Sequence, residues 1–203
     1  MRTECHSVCA VGYRDHLLVA GGETVDGISN TVETFDGSHW LFVQPLPMRY
    51  YDLKCAILDC HWYLMGGNKG LLEPTLDQDK AVHYACLDSL LASCQLGETS
   101  LQQSSIWKSL PDAPNQLSST AVFGSRLIAV GGEGDISPLS DIHAYSFQTN
   151  SWIHIGNMPF AISRTFSMVL PTGELMVVGG VSNSENSVRN VDVLKATITG
   201  NFL

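Results

Sequence analysis

Four short apolar segments, each closed by a pair of glycines, recur along the chain. They are rich in Val, Leu, Ile and Met, and they are HLLVAGG at 16–22, HWYLMGG at 61–67, RLIAVGG at 126–132 and ELMVVGG at 174–180. An apolar run of this length predicts a buried strand, and the glycine pair predicts a sharp turn where a Cβ atom would be in the way. Because the segments recur, we expect one supersecondary unit to be repeated in space.

A second set of patterns follows each glycine pair. A β-prone stretch comes first, at 31–35, 81–85, 141–145 and 190–194. In the first three copies a tryptophan follows, and a proline comes seven residues after it: Trp40 and Pro47, Trp107 and Pro114, Trp152 and Pro159. Another apolar run precedes each glycine-pair segment, at 8–11, 55–58, 120–123 and 167–170. The pattern therefore predicts a unit of four strands, the last of which opens with tryptophan.

The order of glycine pair, aromatic residue and tryptophan resembles that of kelch repeats, each of which forms one four-stranded propeller blade. The phrases LPDAP, SFQTNSWIHIG and LPTGELMVVGG are also similar to the kelch regions of animal multidomain proteins. The resemblance implies an all-β, kelch-type β-propeller domain over 1–203, with blades at about 5–47, 53–114, 117–159 and 164–200. The structural residues of the motif would be Gly21, Gly22, Gly66, Gly67, Gly131, Gly132, Gly179, Gly180, Trp40, Trp107 and Trp152.

The fourth unit is incomplete in the sequence. After the β-prone run at 191–198 no tryptophan strand follows, so we expect three strands in the last blade. Kelch propellers usually have more than four blades, and the chain therefore resembles the C-terminal part of a longer propeller. A complete short product is the alternative, and the sequence does not separate the two.

The second unit carries an insertion at 87–105 between its third and fourth strands. Leu87, Leu90, Leu91 and Cys94 have helical spacing, which predicts a short helix at the start of the insertion. The remainder, 95–105, is polar and rich in Ser and Gln, and we expect it to be mobile.

Charge and targeting signals limit the partners. The net charge is −9 and the chain has no Lys/Arg cluster, so nucleic acid and anionic membrane surfaces are excluded as partners. The apolar start of the chain is broken at 12–15 before it reaches the length of a signal peptide, and no run is long enough to span a bilayer. We therefore expect a cytoplasmic protein.

The six cysteines contain no CxxC pair. Cys9 and Cys55 occupy apolar strand positions, where free cysteine is a common small core residue, and we expect reduced thiols. A bridge between Cys86 and Cys94 is the alternative in an oxidising compartment.

The search for catalytic chemistry finds no phosphate loop, G-x-S-x-G, H-E-x-x-H or metal-binding cysteine pair. His16 and His61 start equivalent strands, but Arg126 and Glu174 take that place in the other units. A position that accepts all of these types indicates a solvated turn. We expect no catalytic residues, no metal and no cofactor.

The tryptophans and the loops are the remaining candidates. Since the three tryptophans share one repeat position, we expect them to pack between blades, with Trp152 mostly buried. The resemblance implies one binding face made of the loops after the glycine pairs and the loops between blades. These are 23–29, 68–79, 133–139 and 181–188, with 48–52, 115–118 and 160–164. The candidate binding residues there are Arg49, Tyr50, Tyr51, Phe160 and Arg164, because Arg and aromatic residues dominate interface energetics. The alternative for Tyr50 and Phe160 is that they pack under the loop.

The leading functional hypothesis is a non-catalytic module or scaffold that binds a protein or peptide of acidic character. Two alternatives stay open. One is a copper enzyme on a kelch-like propeller of the galactose-oxidase type, which would need a Tyr/His constellation. The other is the substrate-recognition part of a ubiquitin-ligase adaptor that lacks its partner domain.

Overall fold

The computed structural model describes residues 1–69, 79–94, 105–116, 119–134, 137–182 and the strand 191–194. The chain divides into two compact units, Met1–Asp112 and Ala113–Leu203. The described residues form three antiparallel sheets of four strands, one of three strands and a small hairpin. The predicted all-β class and the three-stranded last sheet are therefore confirmed.

In the first sheet of the first unit, the strands lie side by side in the order in which they occur along the chain. Its strands are β1 (Cys9–Tyr13), β2 (His16–Ala20), β5 (Val32–Phe35) and β6 (Trp40–Phe42). Between β2 and β5 the chain forms a separate small hairpin of β3 (Glu23–Thr24) and β4 (Gly27–Ile28). The sheet order is β1-β2-β5-β6, and all pairs are antiparallel. The hairpin lies in the loop after the first glycine pair, where the sequence predicted no regular structure.

The second sheet of this unit repeats that order and carries the insertion. Its strands are β7 (Lys54–Leu58), β8 (His61–Met65), β9 (Val82–Cys86) and β10 (Lys108–Leu110). The helix α1 (Leu87–Ser93) follows β9 directly, so the helix predicted at the start of the insertion is confirmed. Residues 95–104, where mobility was expected, lie outside the described residues.

The second unit contains the other two sheets. The strands are β11 (Ser119–Phe123), β12 (Arg126–Glu133), β13 (Pro138–Ser146), β14 (Ser151–Asn157), β15 (Phe166–Val169), β16 (Leu175–Val178) and β17 (Val191–Leu194). The first four form one sheet and the last three form the other, each in chain order. Unlike the other glycine pairs, Gly131 and Gly132 lie inside a strand, where the β12–β13 register shifts.

The core of the first unit is built on one tryptophan that the repeat pattern does not contain. Trp62 in β8 is fully buried and packs in one cluster with Trp107 and with Leu87 and Leu90 of α1. The ring centroids of the two tryptophans are 6.1 Å apart. The helix therefore stabilises the unit by helping to cover a large aromatic side chain. Each Å² of apolar surface removed from water contributes about 25 cal/mol.

The three repeat tryptophans do not share one environment. Trp107 is 6% exposed, and its Nε1 donates a hydrogen bond to the backbone oxygen of Gln44, 3.3 Å away, in the preceding sheet. Trp40 and Trp152 are only half-buried, and each packs on an aromatic residue of its own sheet, Phe35 or Tyr145. The expectation that Trp152 packs between blades stays a prediction: the residue is half-buried, and its ring centroid lies 5.2 Å from that of Tyr145 in the same sheet.

A disulfide joins Cys9 of β1 to Cys55 of β7. The expectation that both residues are free core thiols is wrong, because β1 and β7, the first strands of their sheets, pack against each other. This contact places the two Cα atoms 6.2 Å apart, within the range that a disulfide spans. Cys86 and Cys94 are both free, so the alternative bridge is not formed.

Candidate functional site

In each of the four sheets, an isolated backbone bridge joins the segment before the first strand to the residue after the glycine pair. The four bridges are His6–Glu23, Tyr51–Asn68, Gln116–Glu133 and Ser163–Val181. The two sets of loops expected to share a face thus meet at the same end of each sheet. We call this the loop end of a sheet; the hairpin turn between the first two strands lies at the opposite end.

The second glycine of each pair makes the bridge possible. A Cβ atom on Gly22 would lie 2.7 Å from the backbone oxygen of His6, and one on Gly180 would lie 2.7 Å from that of Ser163. Both glycines have positive φ, +103° and +115°, which side-chain-bearing residues rarely adopt. The close approach of the bridging carbonyl explains why a residue with a Cβ atom would be strained at these two positions.

The first glycine of the pair lies against the backbone of the segment that leads into the next sheet of the same unit. A Cβ atom on Gly21 would lie 2.5 Å from the backbone oxygen of Tyr50, and that oxygen also accepts a 2.7 Å hydrogen bond from the Gly22 N–H. In the second unit, a Cβ atom on Gly131 would lie 3.0 Å from the backbone oxygen of Ile162. Tyr50 and Ile162 therefore occupy equivalent positions.

The loop after the glycine pair is closed at its far side by a further backbone hydrogen bond in the first unit. Ser29 N–H donates to the Gly22 oxygen at 2.9 Å, and Asp79 N–H donates to the Gly67 oxygen at 3.1 Å. The two loops thus begin and end at the same backbone positions, although the second is longer.

Tyr50, one of the candidate binding residues, is only 1% exposed. Its hydroxyl donates a hydrogen bond of 2.7 Å to Asp79 Oδ2 and lies 3.1 Å from His83 Nε2. The alternative that Tyr50 packs under the loop is the one observed. The equivalent position holds Ile162, which is also buried, and comparing the two loops would have indicated a core residue.

The hydroxyl of Tyr50 belongs to a small polar network. Asp79 Oδ2 also lies 2.6 Å from Lys69 Nζ. Burial raises the pKa of Tyr50, and the Asp79 carboxylate raises it further. Burial opposes ionisation of Asp79, but hydrogen bonds from Lys69 and Tyr50 outweigh it and lower the pKa of that carboxyl. Burial also lowers the pKa of His83, so the network holds a neutral histidine and an ionised aspartate at neutral pH.

We expect Tyr50→Phe to lower the free energy of unfolding by about 1.5–3 kcal/mol at pH 7, because a hydrogen bond to a carboxylate is lost. The pKa of Asp79 in the folded protein is held below its ordinary value, so its contribution is present above about pH 4 and is lost as the pH falls through the lowered value. The difference between parent and variant should therefore shrink towards pH 3 in urea unfolding followed by circular dichroism. Tyr84→Phe, whose ring stacks on Tyr63, is the control, and an equal loss in both variants would contradict the network.

The other four candidates lie at the loop ends of their sheets. Arg49 is exposed, and Tyr51 is half-buried because its backbone forms a bridge. Phe160 is 61% exposed, and Arg164 is exposed with its Nε 3.3 Å from Glu133 Oε1. Arg49 and Tyr51 thus lie in one segment of the first unit, and Phe160 and Arg164 lie in one segment of the second.

Within the described ranges, no group of three or more His, Cys, Asp or Glu side chains could hold a metal ion. In that part of the chain, no helix has the length and apolar character needed to cross a bilayer.

Comparison with known families identifies the repeat. Residues 116–159 match the family described as the Kelch motif. The matched segment begins at the bridge residue Gln116 and includes all four strands of the third sheet. No curated protein matches the chain.

Proposed function

We propose that the chain, whose residues 116–159 match the Kelch motif, is a kelch-repeat protein and a non-catalytic module that binds a protein or peptide through the loop ends of its sheets. Kelch repeats are in general interaction domains rather than catalytic ones. The net charge of −9 favours a protein or peptide over nucleic acid or an anionic membrane as the partner.

The observation that carries the proposal is the exposure of Phe160 next to Arg164 on a fixed backbone. The loop is anchored by Ile162, which is 5% exposed, and by paired hydrogen bonds of 3.0 and 2.9 Å between the backbones of Ser163 and Val181. Because the backbone is already ordered, little conformational entropy would be lost when a partner binds. A large exposed aromatic side chain beside an arginine is the combination that dominates interface energetics.

Charge sets the range of the attraction. Arg164 is paired with Glu133 at 3.3 Å, so an acidic group of the partner would share or replace that carboxylate. Since the chain as a whole is negative, the attraction to an acidic partner would act locally, at the guanidinium group of Arg164.

The test compares two double variants that change the same residue types at opposite ends of the sheets. Phe160→Ser/Arg164→Ala alters the loop end, while Phe147→Ser/Arg126→Ala alters the hairpin turns at the other end, where Phe147 is 47% exposed. Proteins retained from cell extract by the immobilised parent are identified and then titrated against each form. We expect the loop-end variant to bind about tenfold more weakly or worse.

The control variant should bind like the parent. Both variants must have the parent's circular dichroism spectrum and melting temperature, since a loss of folding would also abolish binding. Equal retention by both double variants would overturn the assignment of the binding surface, and a parent that retains no partner would overturn the proposed function.

A further inference from the structure

All six cysteines of the chain fall in the first unit, and two that remain free lie side by side. Cys60 is in the turn between β7 and β8, and Cys86 is the last residue of β9, directly before α1. Both are at the end of the second sheet opposite the loop end, so they take no part in the binding surface proposed above.

The backbone geometry fixes the two residues close together. Cys86 is the Cα partner of His61 in the β8–β9 pair, and the Leu87 N–H donates a 2.9 Å hydrogen bond to the Cys60 oxygen. The two side chains are near enough for Cys86 to contribute to the raised pKa of Cys60, after the larger effect of burial. Opposite residues of an antiparallel pair lie about 4.5–5.5 Å apart, and Cys60 is one residue from the partner of Cys86, which puts the two Cα atoms about 6–7 Å apart, near the upper end of the range that a disulfide spans.

The two thiols differ in environment in a way that suits a two-step oxidation. The backbone N–H of Ser89 and its side chain donate to Cys86 and lower the pKa of this thiol. Burial raises the pKa of Cys60, and the neighbouring Cys86, Asp88 and Asp59 raise it further. Cys60 is exposed and Cys86 is half-buried, so a small oxidant has access to the pair. The carboxylate of Asp88 is itself paired with Arg14 at 3.1 Å.

We propose that Cys60 and Cys86 are a peroxide-reactive dithiol that closes to a second disulfide of the first unit. The Cys86 thiolate attacks one oxygen of hydrogen peroxide; an S–O bond forms, the O–O bond breaks and hydroxide leaves as water after protonation. Cys60 then attacks the sulfur of the sulfenic acid, forming the S–S bond as the S–O bond breaks. The thiol proton of Cys60 leaves with the hydroxyl group as the second water. Peroxide is reduced by two electrons, and the two thiols supply them.

The new bridge would tie the β7–β8 turn to the start of α1. Leu87 and Leu90 of this helix are fully buried against the core tryptophans, so the bridge constrains a segment that already stabilises the unit. We expect the melting temperature of the oxidised protein to be roughly 5–10 °C higher than that of the protein with both thiols reduced, because the bridge restricts the unfolded chain.

The experiment treats the full chain with about one to two equivalents of hydrogen peroxide, blocks remaining thiols by alkylation and maps tryptic peptides by mass spectrometry. Peptide 55–69 is already joined to peptide 3–14 through the Cys9–Cys55 disulfide, and we expect this pair to become linked to peptide 81–108 as well, with loss of two alkylation sites. Cys94→Ser, which removes the other free thiol of peptide 81–108, should leave the link intact. Cys60→Ser should abolish the link and leave a sulfenic acid at Cys86 that dimedone traps.

Three results would overturn the proposal. In the first, Cys60 and Cys86 can still be alkylated after peroxide treatment. In the second, the link disappears in Cys94→Ser, and in the third, Cys86 of the parent is oxidised without becoming linked to Cys60. Because the parent alone reports the first and third, the proposal remains testable even if a variant does not fold. The result does not depend on the proposed binding function.

Discussion

Replacing Trp107 with alanine should lower the free energy of unfolding by about 3–5 kcal/mol, the usual cost of removing a large buried aromatic side chain. Trp107 is 6% exposed, packs on the fully buried Trp62 and donates a hydrogen bond to Gln44 in the preceding sheet. Its removal therefore leaves a cavity where the two sheets of the first unit meet. Urea unfolding followed by circular dichroism measures the loss without relying on tryptophan fluorescence.

Trp152→Ala is the matched control for this prediction. Trp152 occupies the same repeat position but is half-buried, with its ring 5.2 Å from that of Tyr145 in the same sheet. We expect a smaller loss of about 1–2 kcal/mol, because less surface returns to water. Equal losses in the two variants would show that the repeat position, rather than local burial, determines the cost.

Gly22→Ala should destabilise the first unit by roughly 3 kcal/mol or more. The substitution adds a Cβ atom 2.6 Å from Val8 Cγ1 and 2.7 Å from the His6 oxygen, at a φ of +103°. Backbone strain at such a φ costs about 1–3 kcal/mol, and overpacking against a fixed carbonyl adds a similar amount. The change in thermal and urea unfolding gives the total.

Gly27→Ala separates the two causes. Gly27 has a similar φ of +113°, but a Cβ atom there would meet nothing within 4 Å. We expect only the backbone cost, about 1–3 kcal/mol, and therefore a smaller loss than in Gly22→Ala. If Gly27→Ala were as destabilising as Gly22→Ala, the close approach of the bridge carbonyl would not be the reason for the second glycine of the pair.

The strands could be predicted because each carries its own local signal. The glycine pairs mark the ends of β2, β8 and β16, and the spacing of Leu87, Leu90 and Leu91 predicted α1. These signals depend on residues that are close in sequence. Within the described residues the last sheet has three strands, and this number was predicted because no tryptophan segment follows the last β-prone run.

Contacts between sheets were harder to predict, because they depend on which faces meet. Nothing local to Cys9 or Cys55 shows that β1 packs on β7, so the disulfide was missed. The polar contacts of the buried Tyr50 are with Asp79 and His83, which come after two further strands in the sequence. Trp62 was overlooked because it lies outside the recurring tryptophan position; it is fully buried in one cluster with Trp107 and with Leu87 and Leu90 of α1.

The bridges at the loop ends also bear on how freely the loops can change length. The hydrogen bonds that close the loop after the glycine pair enclose residues 23–28 in the first sheet and 68–78 in the second, with the same backbone anchors. The free-energy cost of closing a loop rises by only about 0.6 kcal/mol for each doubling of its length. Insertions placed between Asn68 and Asp79 should therefore leave the sheet intact, which makes this segment the natural position for grafting a foreign peptide onto the chain.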